Sequence, residues 1–154
     1  MEISKAEECD LPVILELQRL AFRENAIRYG DPDIPPVTQT LEELVDEAKD
    51  GLILKAVRGG CIVGSVRGRA DGDVAYISRL FVHPDHQNRG IGHRLMRAIE
   101  SEFDVPVYEL STGHLDGKNM SLYRNLGYEL IEGEPDRITD KLYFVRMRKT
   151  VRRS

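Results

Sequence analysis

A chain of 154 residues with a formal net charge of −4, 41% hydrophobic and 31% charged, has the make-up of one soluble domain able to bury roughly 70% of its unfolded surface. Several classes are excluded at once: no run approaches the roughly 20 apolar residues of a membrane span, and the acidic start MEISKAEECD lacks the basic character of a targeting peptide. The charge is uneven, with 13 acidic against 7 basic residues in 1–60 and 6 basic and no acidic residues from Lys141 onward, so nucleic acid is not an expected partner and RKTVRRS reads as a solvated end.

Two cysteines, Cys9 and Cys61, are too far apart and too few for a zinc or disulfide framework; Cys61, in the apolar run CIVGSV, is expected as a buried small hydrophobe. The expectation is a cytoplasmic protein, one domain over residues 1–150 followed by a basic tail, 151–154.

In chain order, Glu2 to Lys5 suits a short edge strand, and Asp10 is a plausible N-cap with Pro12 in the first turn. Ile14, Leu17, Leu20 and Ala21 recur at helical spacing, predicting a helix to about Arg23. Residues 25–38, with Gly30, Pro32, Pro35 and Pro36, predict an irregular segment that could wall a substrate site. Thr40 with Glu43 forms a capping box opening a helix that buries Leu41, Leu44, Val45 and Ala48 and stops at Gly51.

The period then changes to that of strands: Leu52 to Arg58, a Gly59-Gly60 turn, Cys61 to Arg69, a turn near Gly72, and Val74 to Val82, an antiparallel meander. A helix from about Gly90 to Phe103 presents Ile91, Leu95, Ala98 and Ile99 on one face. It leads to a strand, Val107 to Thr112, which a crossover connection makes a parallel neighbour. Gly113 to Lys118 reads as a loop, Met120, Tyr123 and Leu126 as a short helix closed by Gly127. The strands Tyr128 to Glu132 and Lys141 to Arg148, joined by the turn-rich GEPDRITD, finish the chain.

The chemistry concentrates at Ala75 to Gly92, AYISRLFVHPDHQNRGIG, a strand running into a helix start. The N–H groups of a helix's first turn have no intrahelical acceptor and face the positive end of its dipole. Gln87, Asn88, Arg89, Gly90, Ile91, Gly92 and His93 therefore form a candidate cradle for a pyrophosphate, the glycines letting backbone approach it closely. A Rossmann nucleotide site fails on spacing: GxGxxG is absent and the preceding strands are hairpin-linked.

RLFVHPDHQNRGIGHRLM and SLYRNLGYEL together resemble the GNAT family of acyl-CoA-dependent N-acyltransferases, the first matching its Gln/Arg-x-x-Gly-x-Gly/Ala signature and the second its tyrosine-bearing helix. The resemblance implies an α+β fold, a mixed and mostly antiparallel sheet of six or seven strands opened into a V, and acetyl-CoA as co-substrate with no metal. It implies that Leu80, Phe81 and Val82 offer backbone groups to the pantetheine arm, that Asn119 could hydrogen-bond it, and that Tyr123 is the general acid. A phenol of pKa ~10 beside a departing thiolate whose conjugate acid has a pKa of ~8.5 can supply its proton. Asn119 reads equally well as the N-cap of its helix.

The positions where many members carry a glutamate base read Tyr76 and Ser78 here, which leaves the base open among Glu109, Tyr76 through water, and Glu24. That departure keeps a second reading alive, an acyl-CoA-binding sensor without turnover. Histidines 83, 86 and 93 with Asp85 do not argue for a metal, His86 being expected to face solvent, and a nucleic-acid contact through Arg146 to Arg153 is a weaker third reading. In the resembled family the N-terminal helices shape the acceptor pocket, so Phe22 and Tyr29 join Tyr76 and Glu109 as candidate substrate residues. The acidic surround of Glu24, Asp31, Asp33, Glu42, Glu43 and Asp46 would attract a cationic amine. Dimers are common among similar proteins, so a homodimer stays open.

Overall fold

A computed structural model of the chain describes residues 1–151; the expected basic tail lies outside the described residues apart from Val151. Strand β1 (Glu2–Lys5) opens the chain, and a single 3-10 turn leads into α1 (Leu11–Tyr29). Asp10 does not cap α1 with its side chain. Its carboxylate accepts instead from the Glu7 N–H at 2.8 Å and from Lys55 Nζ at 2.7 Å, and the Lys55 ammonium holds it below the usual carboxylate range.

Helix α1 runs six residues beyond the expected end near Arg23. Its last turn has a tertiary reason to form: Ala26 and Tyr29 are buried with Ile34 and Leu142 in a small cluster of their own. Local propensity yields to such packing readily, since most helical stability comes from a buried face. Gly30, at φ 61°, stops the helix with its N–H turned back to Ala26 and Ile27. The segment expected to be irregular shrinks further, because Pro35–Thr38 forms a one-turn helix, α2, with Pro at its first position. The capping box opens α3 (Leu41–Asp50) as expected, the Glu43 N–H donating to Thr40 Oγ1 and Glu43 Oε1 accepting from the Thr40 N–H. Leu44 is fully buried, whereas Leu41 at the first helical position and Leu20 on α1 stay exposed, at 40% and 37%.

The meander follows as β2 (Leu52–Arg58), β3 (Cys61–Asp71) and β4 (Val74–Val82), then α4 (Ile91–Ser101) and β5 (Val107–Gly113), which pairs parallel with β4. Cys61 is exposed, against expectation, because it is the first residue after the hairpin turn and pairs only with Arg58 at the strand's outer end. Helix α5 (Gly117–Asn125) starts earlier than expected: Asp116, not Asn119, is its cap, with Oδ1 accepting from the Asn119 N–H. Two-residue strands β6 (Glu129–Leu130) and β7 (Asp136–Arg137) both pair with β8 (Tyr143–Thr150), so the GEPDRITD connection contributes a strand the sequence pattern did not mark.

The result is an eight-stranded mixed sheet in the order β1-β2-β3-β4-β5-β8-β6, with β7 also on β8. Helix α4 packs Ile91, Leu95, Met96 and Ile99 on one face, where α5 adds Tyr123; α1 and α3 cover the other with Ile14, Leu17 and Leu44 over Ile53 and Phe81. Among the described residues no helix is long and apolar enough to cross a membrane.

Candidate active site

Strand β4 is where the sheet opens. Residues Val74 to Ile77 pair with Val107 to Leu110 of β5, but from Ser78 on β4 has no partner on that side, while Ser111 to Gly113 of β5 pair only with β8. A bulge accompanies the parting: Arg67 pairs with Ser78 and Ser65 with Phe81, so Arg79 and Leu80 oppose Val66 alone. Arg79 takes φ 52°, a left-handed conformation uncommon outside glycine and of the kind that collects at functional sites. The sequence did not show this bulge, since nothing in YISRLFV breaks the strand pattern.

Two cavities meet in the opening. The first, about 400 Å³, runs along Leu80, Phe81 and Val82 to Gln87, Asn88, Gly90, Ile91, Gly92 and His93. It unites the expected cofactor residues except two: Arg89 is exposed and does not line it, and Tyr123 lines the second cavity instead. The loop is shaped by Asn88 and Gly90 at φ 63° and 80°, and by Gln87 Nε2 donating to the Val82 carbonyl at 3.3 Å. Gly90 is needed for its left-handed φ rather than for room, as a Cβ there would meet nothing within 4 Å. The first bond of α4 runs from the Arg94 N–H to the Gly90 carbonyl, so the N–H groups of Ile91, Gly92 and His93, residues that line this groove, have no helical acceptor. His86 also lines the groove. Contrary to the expectation of a solvent-facing side chain, it is half-buried, and its Nδ1 is sealed without a hydrogen-bond partner.

The second cavity, about 620 Å³, is walled by Phe22 and Tyr29 of α1, by Tyr76 and the Arg79–Leu80 bulge of β4, by Glu109 of β5 and by Tyr123 of α5. All four candidate substrate residues are thus brought together. Two of them are already engaged. The Tyr29 hydroxyl, 5% exposed as a residue, accepts from the Leu115 N–H at 3.1 Å and so ties α1 to the loop before α5. The Glu109 carboxylate accepts from Arg148 Nε at 2.8 Å and from its terminal nitrogen at 2.5 Å. Tyr76 carries the Arg69 guanidinium over its ring, 4.8 Å from the centroid.

Phe22, Asn25, Leu80, Asp116 and Asn119 line both cavities, which locates their junction. Tyr123 is 6% exposed beside it; its hydroxyl hydrogen-bonds to no described residue, and burial drives its pKa upward, with the Asp116 carboxylate adding to the rise. Asp116, 7% exposed, is the one carboxylate among the described residues that lines both cavities. Burial raises its pKa against the pull of its bonds from Asn119 and the charge of Arg28, whose terminal nitrogen is 3.9 Å away. The loop expected at residues 113–118 hides Asp116; its signal was there as a helix-capping Asp three residues before Asn119.

The expected acidic surround does not form a wall. Glu24 lines the first cavity, but Asp31, Asp33, Glu42, Glu43 and Asp46 line neither, Glu43 being held by its Thr40 cap. The second cavity is lined by Arg67, Arg69, Arg79 and Arg146 and, in equal number, by Glu47, Asp50, Glu109 and Asp116; Arg146 bonds Asp136 at 2.8 and 2.9 Å. Among the described residues no three His, Cys, Asp or Glu side chains gather at one point.

A family profile described as "Acetyltransferase (GNAT) domain" matches residues 24–151. An acetyltransferase of Pectobacterium atrosepticum is 30% identical over 107 residues, covering 68% of this chain and 72% of that one. Among solved structures, the ribosomal-protein-S18-alanine N-acetyltransferase of Escherichia coli superposes with a TM-score of 0.80 at 18% identity, over 99% of this chain and 95% of that one. The PaiA N-acetyltransferase of Thermoplasma acidophilum, in complex with coenzyme A, does so with a TM-score of 0.76 at 19% identity, over 97% and 98%. These likenesses carry the fold; the profile and the relative carry the family, and the chain belongs to the GNAT acetyltransferases, a family of acyltransferase enzymes.

Proposed function

We propose that the chain transfers the acetyl group of acetyl-CoA to a primary amine by direct attack, both substrates being bound at once. The observation that carries this is the junction: a groove with free helix N–H groups at one end opens, at Leu80, Asp116 and Asn119, into a separate cavity beside a buried tyrosine. The groove suits the cofactor on the residues present. Unsatisfied N–H groups of Ile91, Gly92 and His93 would hold the pyrophosphate, and the unpaired edge of β4 at Leu80 to Val82 would hydrogen-bond the pantetheine arm. Bound there, acetyl-CoA supplies an activated thioester carbonyl, and PaiA shows that a protein of this fold holds coenzyme A.

Asp116 is assigned to take the proton that the ammonium form of the acceptor must lose, its raised pKa bringing it nearer that task. Tyr123 is assigned to protonate the departing thiolate sulfur and to recover its proton from the attacking amine nitrogen, so that amine and thioester become amide and thiol. Burial raises the phenol's pKa and so keeps it protonated until the thiolate departs. Of the bases left open by sequence, Glu109 is committed to Arg148 and Glu24 is an exposed residue of the cofactor groove, paired at 3.8 Å with Arg28.

Release of free thiol from acetyl-CoA, followed with and without a panel of amines, tests the reading. Amine-dependent release is the expected result. Acetyl-CoA binding with no amine-dependent thiol under any condition would favour the sensor instead.

A further inference from the structure

Two neighbouring guanidiniums line the acceptor cavity, and one of them, Arg79, has no hydrogen bond or ion pair among the described residues. Arg67 of β3, 4% exposed, gives its terminal nitrogens to Gln18 Oε1, to Gln39 Oε1 at 3.2 Å and to Glu47 Oε2 at 2.5 Å, while its Nε is sealed with no acceptor. Arg79, turned into the same region by the β4 bulge, hydrogen-bonds to no described residue, and its Nε is sealed as well. Burial lowers the proton affinity of both, Arg67 to about 10, and the positive charge of Arg79 adds to the fall at Arg67.

A guanidinium does not give up its charge near neutral pH, so both remain cations. Glu47 is in contact with Arg67 and acts on Arg79 through its charge alone. Glu43 acts on Arg79 from farther off and is already bonded to Thr40. The other ions around the cavity are matched elsewhere: Arg146 with Asp136, Glu109 with Arg148, Asp116 with Arg28. Arg69, over Tyr76, and Asp50 are both exposed. Arg79 is half-buried: its Nε is sealed, whereas its terminal nitrogens are not and bond no described residue, so the guanidinium borders the cavity with donors that an acceptor could take.

We propose that the acceptor amine carries a carboxylate, which binds Arg79 while its amine points to the junction at Leu80 and Asp116. The inference rests on the acetyltransferase reading and narrows its substrate class. A carboxylate matches the guanidinium fork, and its single negative charge matches the single positive charge of Arg79, whereas a phosphate's charge of roughly −1.5 to −2 would exceed it. Arg79, Leu80 and Asp116 all line the one cavity of about 620 Å³, so a guanidinium and the junction are open to the same ligand.

The test uses matched pairs: α- and ω-amino carboxylic acids from two to six carbons, and their carboxamides. Each is measured twice on the purified chain, by kcat/KM for thiol release with acetyl-CoA, and by binding to the protein saturated with CoA. For at least one chain length the acid is expected to exceed its amide by roughly 10- to 100-fold in both measurements, the scale of a hydrogen bond to a charged group. Arg79→Gln is expected to shrink that advantage below about threefold and Arg79→Lys to restore part of it, with the acetyl-CoA melting shift as the folding control. Amides that match the acids throughout, or a loss on Arg79→Gln shared equally by both, would overturn the proposal. If no amine gives thiol, the acetyltransferase reading fails, and the binding arm still decides the carboxylate.

Discussion

The cofactor groove and the acceptor cavity share five residues at their junction yet are built in different ways. The groove offers main chain where the cofactor is proposed to bind: N–H groups at the start of α4, the unpaired edge of β4, and glycines that keep side chains out of the way. The cavity is walled by residues from nine helices and strands, held in a network in which Gln18, Gln39, Glu47 and Arg67 come from residues up to 49 positions apart. Backbone groups present the same chemistry whatever the local sequence, so a groove that offers them suits one invariant ligand. Walls of side chains can be re-lined residue by residue without disturbing it.

This difference predicts separable failures. Gly92→Asp carries the largest effect. A Cβ at Gly92 would meet Leu122 Cδ2 at 3.5 Å and Val82 Cγ2 at 3.9 Å, ordinary contacts, so the fold should accept it. The carboxylate it adds would stand among the very N–H groups that the pyrophosphate needs. The variant is expected to melt within a few degrees of the parent but to lose the acetyl-CoA shift altogether. In the parent that shift should correspond to about 2.7 kcal/mol at 100 times Kd. A full shift in the variant would break the assignment of the groove.

Next in size, Tyr123→Phe acts on the junction and leaves the groove alone. The acetyl-CoA shift should persist while turnover falls roughly 100-fold or more, the usual range for losing a positioned acid. Because the hydroxyl bonds no described residue, its removal strands no partner, and stability should change little. Unchanged turnover would show that the thiolate finds its proton elsewhere.

The same contrast explains what could be read before the fold was known. QNRGIG, the capping box at Thr40 and the bounds of β2 and β4 are local signals, each complete within a few residues, and they stand where the spacing put them. The last turn of α1 was not legible, because Ala26 and Tyr29 are held by Leu142, more than a hundred residues away. Strand β7 exists only through its pairing with Tyr143 and Phe144. The acidic residues of the N-terminal third suggested an acidic pocket, but charge counted along a chain does not say which way each side chain turns. Arg67 and Arg79 reached the cavity by strand alternation and a bulge that no residue in YISRLFV announces.

Asp116→Asn has the smallest expected effect and probes the junction through stability. Asparagine serves as well as aspartate at an N-cap, and its Oδ1 can still accept from the Asn119 N–H, so α5 should keep its start. Burial raises the folded pKa of Asp116 above its unfolded value, so the native state binds this proton more tightly than the unfolded chain does. This group's contribution to stability therefore falls as pH rises from the unfolded pKa of about 3.9 through the folded one. Above that it stays at a constant deficit, about 1.4 kcal/mol for each tenfold difference in proton affinity between the folded and unfolded states. Asparagine carries no such penalty. The variant should be more stable than the parent at pH 7, by an amount that disappears below about pH 4, while its turnover drops about tenfold or more because the proton acceptor is gone. Denaturant melts at several pH values read the first effect and thiol release the second. A variant less stable than the parent at neutral pH would mean that the charge is held by Arg28 and Asn119 more strongly than burial opposes it, and that Asp116 is a structural anion rather than a base.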